Sequence, residues 1–352
     1  MFMNRAISPR QLKILNYLTD SNKSRAEIEE LLLKDYAVSK ITVVRDLSEL
    51  IEQGFIQQQG LGPSTYYSIT NKPTNLPIYN LDEYFKTDVD KRNIRGSHFE
   101  IDLINEIDNF FNPEELDEIE ISRNAFKNIM SKRNSTDIKK ELERFIIELS
   151  WKSSKIEGNT YTLLDTENLI KNNIEALNNS KEESQMILNH KYAFDYILKN
   201  IDNFKEFSGQ NLKQIHSLIV KDLNIQTDYR LHAVGIAGTK YLPLDNKYQI
   251  EDTIKMLDMK LKDIESPFIK AFATLVFISY IQPFADGNKR TARILSNSIL
   301  IANNYYPLSY RSVDEIEYKK ALIIFYEQFN ISYFKKTFLN QYQFSMTNYF
   351  KS

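Results

Sequence analysis

The sequence contains no cysteine, which excludes disulfide bonds, thiolate metal ligands and thiol nucleophiles. It also lacks a membrane span, because its longest apolar run, near Ala271 to Ile281, is much shorter than the roughly 20 residues that cross a bilayer as a helix. The first residues, Met1 to Leu18, have no signal-peptide core, since basic residues interrupt their apolar pattern. We therefore expect a cytoplasmic protein with no membrane partner.

The charge is balanced, so no excess of one sign points to a partner. Lys and Arg number 45, Asp and Glu number 47, and the net charge is -2, which argues against a chain built mainly to bind a polyanion. The 352 residues are enough for two domains with a sizeable core. The four histidines lack the close spacing of a metal site. They are His98, His190, His216 and His232.

Residues 1–70 have the pattern of a small domain of helices and one hairpin. Ser8, Ser24 and Ser39 each precede an amphipathic run, as N-cap residues do. A turn rich in glycine, at residues 60–63, separates two strand-like runs. Three helices followed by a hairpin resemble a winged helix-turn-helix domain, and this resemblance implies a recognition helix with four side chains toward a DNA major groove. These side chains are Ser39, Lys40, Thr42 and Arg45.

The charge of this segment leaves its partner open. Residues 1–70 contain eight basic and eight acidic residues, whereas the affinity of a protein for DNA comes largely from basic residues that neutralise phosphates. A fold alone does not fix a function. DNA binding, contact with another protein and dimerisation are therefore all compatible with a winged-helix fold here.

The rest of the chain predicts a mainly α protein. Residues 71–115 form a connector that contains Pro73 and Pro77, followed by mixed charged and aromatic residues. Residues 116–352 have apolar side chains at spacings of three and four, which predicts an almost wholly helical domain. One exception is a short β-hairpin predicted around Gly238. The predicted organisation is thus an N-terminal domain (1–70), a connector (71–115) and a helical domain (116–352).

The stretch from Gln282 to Arg293 carries the strongest functional signal. A helical run ends before Pro283, because proline lacks an N–H group and disfavours helix in the residue before it. Gly287 permits a close backbone approach to a ligand, and the helix that follows begins with unpaired N–H groups and a positive dipole end. Arg290 and Arg293 are three residues apart and share a helix face. Such a turn suits a polyphosphate.

This stretch resembles the signature of the Fic (fido) family, which reads His-Pro-Phe-x-Asp/Glu-Gly-Asn-x-Arg-x-x-Arg. The matching residues are Pro283, Phe284, Asp286, Gly287, Asn288, Arg290 and Arg293. The resemblance implies a helical core that transfers AMP from ATP to a hydroxyl group of a target protein, with magnesium. It also implies that Asn288 and the turn amides hold the α-phosphate region, while Arg290 and Arg293 hold the β and γ phosphates.

Asp286 and Lys289 bear on the metal and on the transferred group. Asp286 is the expected magnesium ligand, because Mg²⁺ takes one or two carboxylates beside phosphate oxygens. Lys289 lies among the nucleotide-binding residues where many relatives have glycine, and the run from Gly287 to Ala292 resembles the Doc branch, which transfers phosphate. Arg293 is instead a feature of the AMP-transferring group. The transferred group therefore stays open between AMP and another phosphoryl group.

Gln282 stands where the family has its histidine. In the family that histidine is the general base for the hydroxyl of a target Ser, Thr or Tyr. Glutamine has no useful basicity, and loss of a positioned base typically costs roughly 10²–10⁴-fold in rate. His232, near the predicted hairpin, is the histidine that could approach the site from elsewhere in the sequence, but we do not expect it to replace the missing base. The site is thus either an inactive descendant that binds nucleotide or a slow enzyme, since phosphoryl transfer depends largely on positioning.

Ser153, Glu157 and Gly158 form a second pattern at the end of a helix predicted near residues 137–157. Ser153 and Glu157 are four apart and share a helix face, and Gly158 is a natural helix stop. The pattern resembles the inhibitory helix that precedes the Fic core. That resemblance implies that Glu157 pairs with Arg293 and blocks the ATP γ-phosphate. The alternative is an ordinary helix end.

The hairpin predicted between Val234 and Leu244 resembles the Fic flap. In the family the flap holds a segment of the target protein by β-augmentation. The alternative is a structural connection. The target-binding residues implied by the resemblance are Val234, Gly235, Ile236, Gly238 and Tyr241.

Two functions follow from these patterns. The first is a Fic-type protein adenylyltransferase that Glu157 inhibits and Gln282 weakens, with an unnamed target protein. The second is a transcriptional regulator whose winged helix binds DNA and whose silent Fic core senses nucleotide. Analogy with the family also implies self-association as a homodimer.

Overall fold

The computed structural model describes residues 7–60, 62–70 and 75–350. Leu61 of the predicted turn and residues 71–74 of the predicted connector lie outside these ranges. Unit 1 is the described part of Met1–Ser97 with Gly238–Lys240 and Ile323–Tyr333. Unit 2 is His98–Ala237, Tyr241–Leu322 and the described part of Phe334–Ser352. The domain limits proposed from the sequence stay a prediction.

Unit 1 combines helices with a small antiparallel sheet. Its helices are α1 (Pro9–Asp20), α2 (Arg25–Leu32), α3 (Lys40–Glu52) and α4 (Leu81–Lys86). Its strands are β1 (Lys23–Ser24), β2 (Ile56–Gln59) and β3 (Tyr66–Ile69), in the order β1-β3-β2. The register pairs Ile56 with Ile69 and Ser24 with Tyr66.

The first three helices begin at the serines that the sequence singles out as caps. Ser8 and Ser24 form capping boxes, and Ser39 accepts a hydrogen bond from the backbone N–H of Thr42. An apolar core lies on the inward side of these helices. Its central residues are Ile14, Ile28, Leu32, Val43 and Leu50 from the helices and Ile56 from β2. Capping and amphipathic spacing thus account for this part of unit 1.

Unit 2 is built from helices. They are α5 (Pro113–Lys132), α6 (Ser135–Ile156), α7 (Leu163–Asn172), α8 (Lys181–Lys199), α9 (Gly209–Ile219), α10 (Lys247–Asp263), α11 (Pro267–Ile281) and α12 (Asn288–Ala302). Two more helices follow, α13 (Glu315–Gln328), whose residues from Ile323 onward belong to unit 1, and α14 (Ser332–Asn348), which belongs to unit 2 from Phe334 onward. Short 3-10 helices span Gly62–Ser64 and Val89–Lys91 in unit 1, and Ile101–Asn109 and Ile201–Phe204 in unit 2.

The centre of unit 2 is α11, which is buried on every face from Phe268 to Ile281. A helix that is apolar all round lies inside a core. Helix α12 packs against it, and its residues from Arg290 to Leu300 are buried as well. The turn that joins the two helices therefore lies between two deeply buried, closely packed helices.

The predicted mainly α fold is confirmed. The helix predicted near residues 137–157 is α6, which ends one residue before Glu157. The two helical runs around Pro283 are α11 and α12, and α12 begins at Asn288, directly after Gly287. Among the described residues, no helix has both the length and the apolar character needed to cross a membrane.

The paired hairpin predicted between Val234 and Leu244 does not form. Within this segment the structure has a turn at residues 237–238 and one isolated bridge, between Leu242 and His98. Its polar groups bind elsewhere: the carbonyl oxygen of Gly238 accepts from Arg92 at 3.0 Å, and Pro243 has no N–H to donate. The prediction of strand pairing was wrong because these contacts replace cross-strand hydrogen bonds.

Candidate phosphate-binding turn and its inhibitory contact

Asn288 stabilises the turn between α11 and α12 through two hydrogen bonds to the backbone. Its side-chain oxygen accepts from the N–H of Phe284 at 2.8 Å, and its side-chain nitrogen donates to the carbonyl oxygen of Phe284 at 2.8 Å. The turn opens at Gln282, which ends α11 in the left-handed conformation with φ 50°. Asn288, predicted as a nucleotide contact, thus has a structural role in the turn as well.

Position 287 requires glycine for two reasons, its backbone conformation and its close neighbours. Its φ of 80° lies in the left-handed region. A Cβ atom there would stand 2.9 Å from Cγ1 of Val220 and 3.5 Å from Nε2 of His216. Helix α12 starts directly after Gly287 and has no side-chain cap among the described residues. Its first amides are therefore suited to an anion, as the sequence predicts.

Replacing Gly287 by alanine is expected to destabilise the protein by about 2 kcal/mol, because alanine must adopt a left-handed backbone and push against Val220. Chemical denaturation measures this free energy. The matched control is Gly235→Ala, where the added methyl group meets no described atom within 4 Å and φ is not positive. Equal stability of the two variants would contradict the argument.

Arg290 lies at the start of α12 with a free donor. Its side chain is 3% exposed, and Nη2 donates to Oδ2 of Asp286 at 3.3 Å. Nη1 is buried and has no hydrogen-bond partner among the residues that the structure describes. Burial lowers the pKa of Arg290 from its ordinary value. A buried cationic donor without a partner fits a phosphate oxygen.

Arg293 is fully buried and contacts Glu157, the partner implied by the family resemblance, and also Ser153. Nε donates to Oγ of Ser153 at 2.8 Å, and Nη2 donates both to the carbonyl oxygen of Ser153 at 2.8 Å and to Oε1 of Glu157 at 2.8 Å. Burial is the largest influence on the pKa of Arg293 and lowers it, but Glu157 and Tyr318 together raise that pKa above its ordinary value. Burial is likewise the largest influence on the pKa of Glu157 and raises it, but Arg293, Lys289 and Arg290 together lower that pKa below its ordinary value.

Glu157 forms one wall of a small cavity over the turn. Its side chain is 20% exposed and follows the end of α6, where Gly158 has φ 102°. The cavity has a volume of about 50 Å³. Its lining residues are Glu157, Gln282, Asp286, Gly287, Asn288, Lys289 and Arg290. The structure therefore brings the predicted inhibitory glutamate to the predicted phosphate site.

Gln282 is oriented by two hydrogen bonds. Nε2 donates to the carbonyl oxygen of Ser279 at 2.6 Å, and Oε1 accepts from Nδ2 of Asn288 at 3.1 Å. The side chain is 8% exposed. An amide held in this way has no basic atom for a hydroxyl proton.

Asp286 fits the single carboxylate that a phosphate-bound magnesium ion uses. Oδ1 accepts from the N–H of Gly287 at 2.6 Å, and the side chain is 68% exposed. Carboxylate oxygens have further lone pairs for a cation. Among the described residues, no cluster of three or more His, Asp or Glu side chains could hold a metal ion by itself. Phosphate oxygens would thus supply most of the ligands.

Arg230 is a residue that the sequence reasoning did not assign. Nε donates to the carbonyl oxygen of Gln282 at 2.7 Å, Nη1 donates to that of His232 at 2.7 Å, and Nη2 donates to that of Leu244. Its backbone N–H donates to the carbonyl oxygen of Pro283 at 3.0 Å. One buried side chain thus joins the turn to Leu244, the last residue of the predicted flap, and to His232, two residues before its start.

Two histidines also have unpredicted roles at the site. His216 stacks on Phe284 with ring centroids 3.5 Å apart, and its Nε2 donates to the carbonyl oxygen of Asp286 at 2.9 Å. His190 lies 2.8 Å from Oγ of Ser153. Burial lowers the pKa of His216 to about 4 and that of His190 to about 3. The sequence search considered metal spacing, which gives no signal for either contact.

The residues predicted for the flap differ in exposure. Tyr241 is buried, stacks on Tyr280 at 4.6 Å and donates to the carbonyl oxygen of Tyr280 at 2.9 Å. Val234 and Ile236 are half-buried, whereas Gly235 and Gly238 are exposed. Tyr241 is therefore an anchor in unit 2, and target contact by the other residues stays a prediction.

The residues predicted for DNA contact lie at the start of α3. Ser39 caps the helix, and its Oγ is 3.0 Å from Oγ1 of Thr42. Lys40 and Arg45 are exposed. Ile41 is also exposed, at 81%. The surface of α3 is thus partly basic and partly apolar, and DNA contact stays a prediction.

Known proteins resemble part of this chain in sequence. A model of the Fic/DOC family matches residues 206–300. The protein adenylyltransferase Fic of Nematostella vectensis is 25% identical over 213 residues, which are 59% of this chain and 49% of the relative. The protein adenylyltransferase fic-1 of Caenorhabditis briggsae is 21% identical over 57% of this chain and 40% of the relative. The chain thus spans about half the length of these curated relatives, or less.

Solved structures share the fold. Fic-1 from C. elegans superimposes with a TM-score of 0.57 and 19% identity, covering 70% of this chain and 72% of that one. A Fic domain containing signaling protein from Bacteroides thetaiotaomicron superimposes with a TM-score of 0.55 and 20% identity, covering 65% of this chain and 94% of that one. At these identities the likeness concerns the fold alone.

Proposed function

Since this chain carries a Fic/DOC domain, we propose that it binds ATP as a protein adenylyltransferase of the Fic type and that Glu157 holds it in an inhibited state. The observation that carries this proposal is the 2.8 Å contact between Glu157 and Arg293. Arg293 is the second arginine of the motif, and its guanidinium group has both Ser153 and Glu157 as partners.

Inhibition follows from competition for one donor. A γ-phosphate and the Glu157 carboxylate are both anions that a guanidinium group binds strongly. They cannot occupy the same position on Nη2 of Arg293. The carboxylate is attached to α6 and needs no recruitment from solution, so it competes at a high effective concentration. Weak binding of ATP in the intact protein is the result.

The remaining residues of the turn suit the rest of the nucleotide. The first amides of α12 and Nη1 of Arg290 would bind phosphate oxygens, and Asp286 would hold magnesium. Magnesium, when bound, neutralises charge on the phosphates and on the leaving pyrophosphate. Lys289 lines the same cavity and adds a positive charge.

Gln282 limits the chemical step. In AMP transfer a hydroxyl oxygen of the target forms a bond to the α-phosphorus, the bond to the pyrophosphate oxygen breaks, and the hydroxyl proton must be accepted. Oε1 of Gln282 already accepts from Asn288 and is not basic. We therefore propose a protein that can hold ATP and that transfers AMP slowly.

Glu157→Gly is expected to raise the affinity for ATP at least about 10-fold, because it frees a charged donor for the γ-phosphate. Isothermal titration with ATP and magnesium measures the change. AMP is the matched control ligand, since it has no γ-phosphate to compete with Glu157, and its affinity should change less than about 2-fold. An equal rise for both nucleotides would contradict competition at Arg293.

We further propose that unit 1 contains a winged helix-turn-helix fold. Support comes from the order of its elements, three helices followed by the paired strands β2 and β3. Exposed Lys40 and Arg45 suit DNA, whereas exposed Ile41 and Val44 suit another protein surface. A regulator that binds DNA therefore stays the second candidate function.

A further inference from the structure

Behind the contact of Glu157 with Arg293 lie two buried polar residues, Ser153 and His190. Ser153 is 0% exposed and His190 is 1% exposed. His190 belongs to α8, whereas Ser153 belongs to α6 and Arg293 to α12. Oγ of Ser153 lies 2.8 Å from Nε2 of His190 and 2.8 Å from Nε of Arg293. Three helices thus meet at one hydroxyl group.

The partners of these hydrogen bonds determine which atom is the donor in each of them. Nδ1 of His190 lies 2.8 Å from the carbonyl oxygen of Met186, which can only accept, so Nδ1 carries the hydrogen. In a neutral imidazole Nε2 then has a lone pair and accepts the hydroxyl hydrogen of Ser153. The hydroxyl oxygen therefore turns a lone pair toward Nε of Arg293, which can only donate.

The surroundings of His190 keep its imidazole neutral. Burial lowers its pKa to about 3 and outweighs the hydrogen bond to Met186, and the positive charges of Arg290 and Arg293 act in the same direction as burial. Ser154 Oγ is 3.5 Å from Nδ1, the longer of the two contacts of that nitrogen. At neutral pH these hydrogen bonds therefore have one arrangement, in which Ser153 donates to His190 and accepts from Arg293.

We propose that His190 is a positioning residue of the inhibitory contact: it takes the hydroxyl hydrogen of Ser153, so that Ser153 holds Nε of Arg293 while Nη2 reaches Glu157. The inhibitory meaning of this contact rests on the proposed function. Without an acceptor at Nε2, the hydroxyl hydrogen of Ser153 is free to turn toward Nε–H of Arg293, where two hydrogens repel. Nη2 of Arg293 then keeps the main-chain oxygen of Ser153 and the carboxylate of Glu157 as acceptors.

Two substitutions of similar polarity separate this role from simple packing. Glutamine at position 190 can place an amide oxygen near the position of Nε2, whereas asparagine is too short to do so and keeps only a group near Nδ1. His190→Asn is expected to raise the affinity for ATP about 3- to 10-fold, the effect of one hydrogen bond. His190→Gln is expected to stay within about 2-fold of the unsubstituted protein.

The partner residues supply two further controls. Ser153→Ala should give the same rise as His190→Asn, and the double variant should show no more than either one, because both remove the same contact. In a Glu157→Gly protein, His190→Asn should cause no further rise. Additive effects of the two substitutions, or equal affinities of the Asn and Gln variants, would overturn the proposal.

A spectroscopic signal tests the positioning without any nucleotide. In a spectrum of protein labelled with ¹⁵N-arginine, the Nε–H signal of Arg293, assigned by its loss in Arg293→Lys, should shift in His190→Asn and Ser153→Ala but not in His190→Gln. These shifts with unchanged ATP affinity would support the positioning role and contradict the inhibition proposed for Glu157. An unshifted signal in both His190→Asn and Ser153→Ala would overturn the inference itself.

Discussion

A protein with both Glu157→Gly and Gln282→His is expected to transfer AMP to itself or to a partner about 10²–10⁴ times faster than Glu157→Gly alone. The first substitution frees Arg293 for the γ-phosphate, and the second supplies a base for the target hydroxyl. The backbone at position 282 accepts the change, since φ is 50° there and histidine is among the residues that tolerate the left-handed conformation.

Two radioactive forms of ATP make this experiment specific. Label on the α-phosphate that remains on protein shows AMP transfer, whereas label on the γ-phosphate shows phosphate transfer of the kind implied by the resemblance to the Doc branch. The matched control is Glu157→Gly with Gln282→Asn, because asparagine also tolerates a positive φ and has no base. Strong labelling by Glu157→Gly alone would show that Gln282 does not disable the site.

Arg293→Met is expected to lower the free energy of unfolding by about 3–5 kcal/mol, the usual effect of removing one partner of a buried ion pair. Methionine is similar in length but leaves Glu157 and both oxygen atoms of Ser153 without their donor. Denaturant titration measures the loss. Adding Glu157→Gln to this variant should recover about 1 kcal/mol, because the uncompensated charge is then gone.

The same pair predicts how stability depends on pH. Arg293 lowers the pKa of Glu157 in the folded protein, so the pair stabilises the fold above the unfolded pKa of about 4.3. This stabilisation is lost as the pH falls below that value and Glu157 takes up a proton. The difference in stability between the unsubstituted protein and Arg293→Met should therefore shrink in acid, and a constant difference would contradict the ion pair.

Local sequence signals were enough for the helices, whereas the contact of Glu157 with Arg293 was expected from the resemblance to the Fic family. Pro283 and Gly287 define the turn, and Arg290 and Arg293, three residues apart, follow it in α12. Ser153 lies in the last turn of α6 and Glu157 directly follows its end, and both contact Arg293. The helix predictions depend on periodicity and capping, which act over a few residues.

Contacts between distant segments were not predictable in the same way. Arg230 binds carbonyl groups, and any residue supplies a carbonyl, so no partner residue type marks its role. His190 and His216 act through single hydrogen bonds to residues 37 and 70 positions away. The predicted hairpin of the flap does not form, and the carbonyl oxygen of Gly238 and the ammonium group of Lys240 instead bind Arg92, which is far away in the sequence.

Arg230 also sets the freedom of the segment between His232 and Leu244. The guanidinium group of Arg230 binds a carbonyl oxygen at each end, so the two ends of the loop are held together whatever conformation the residues between them adopt. The entropy of closing a loop grows only slowly with its length. Insertions or exchanges between residues 233 and 237, which precede the contacts made by Gly238, Lys240 and Tyr241, should then cost the turn below little, so this part of the segment is a natural place to graft new sequences.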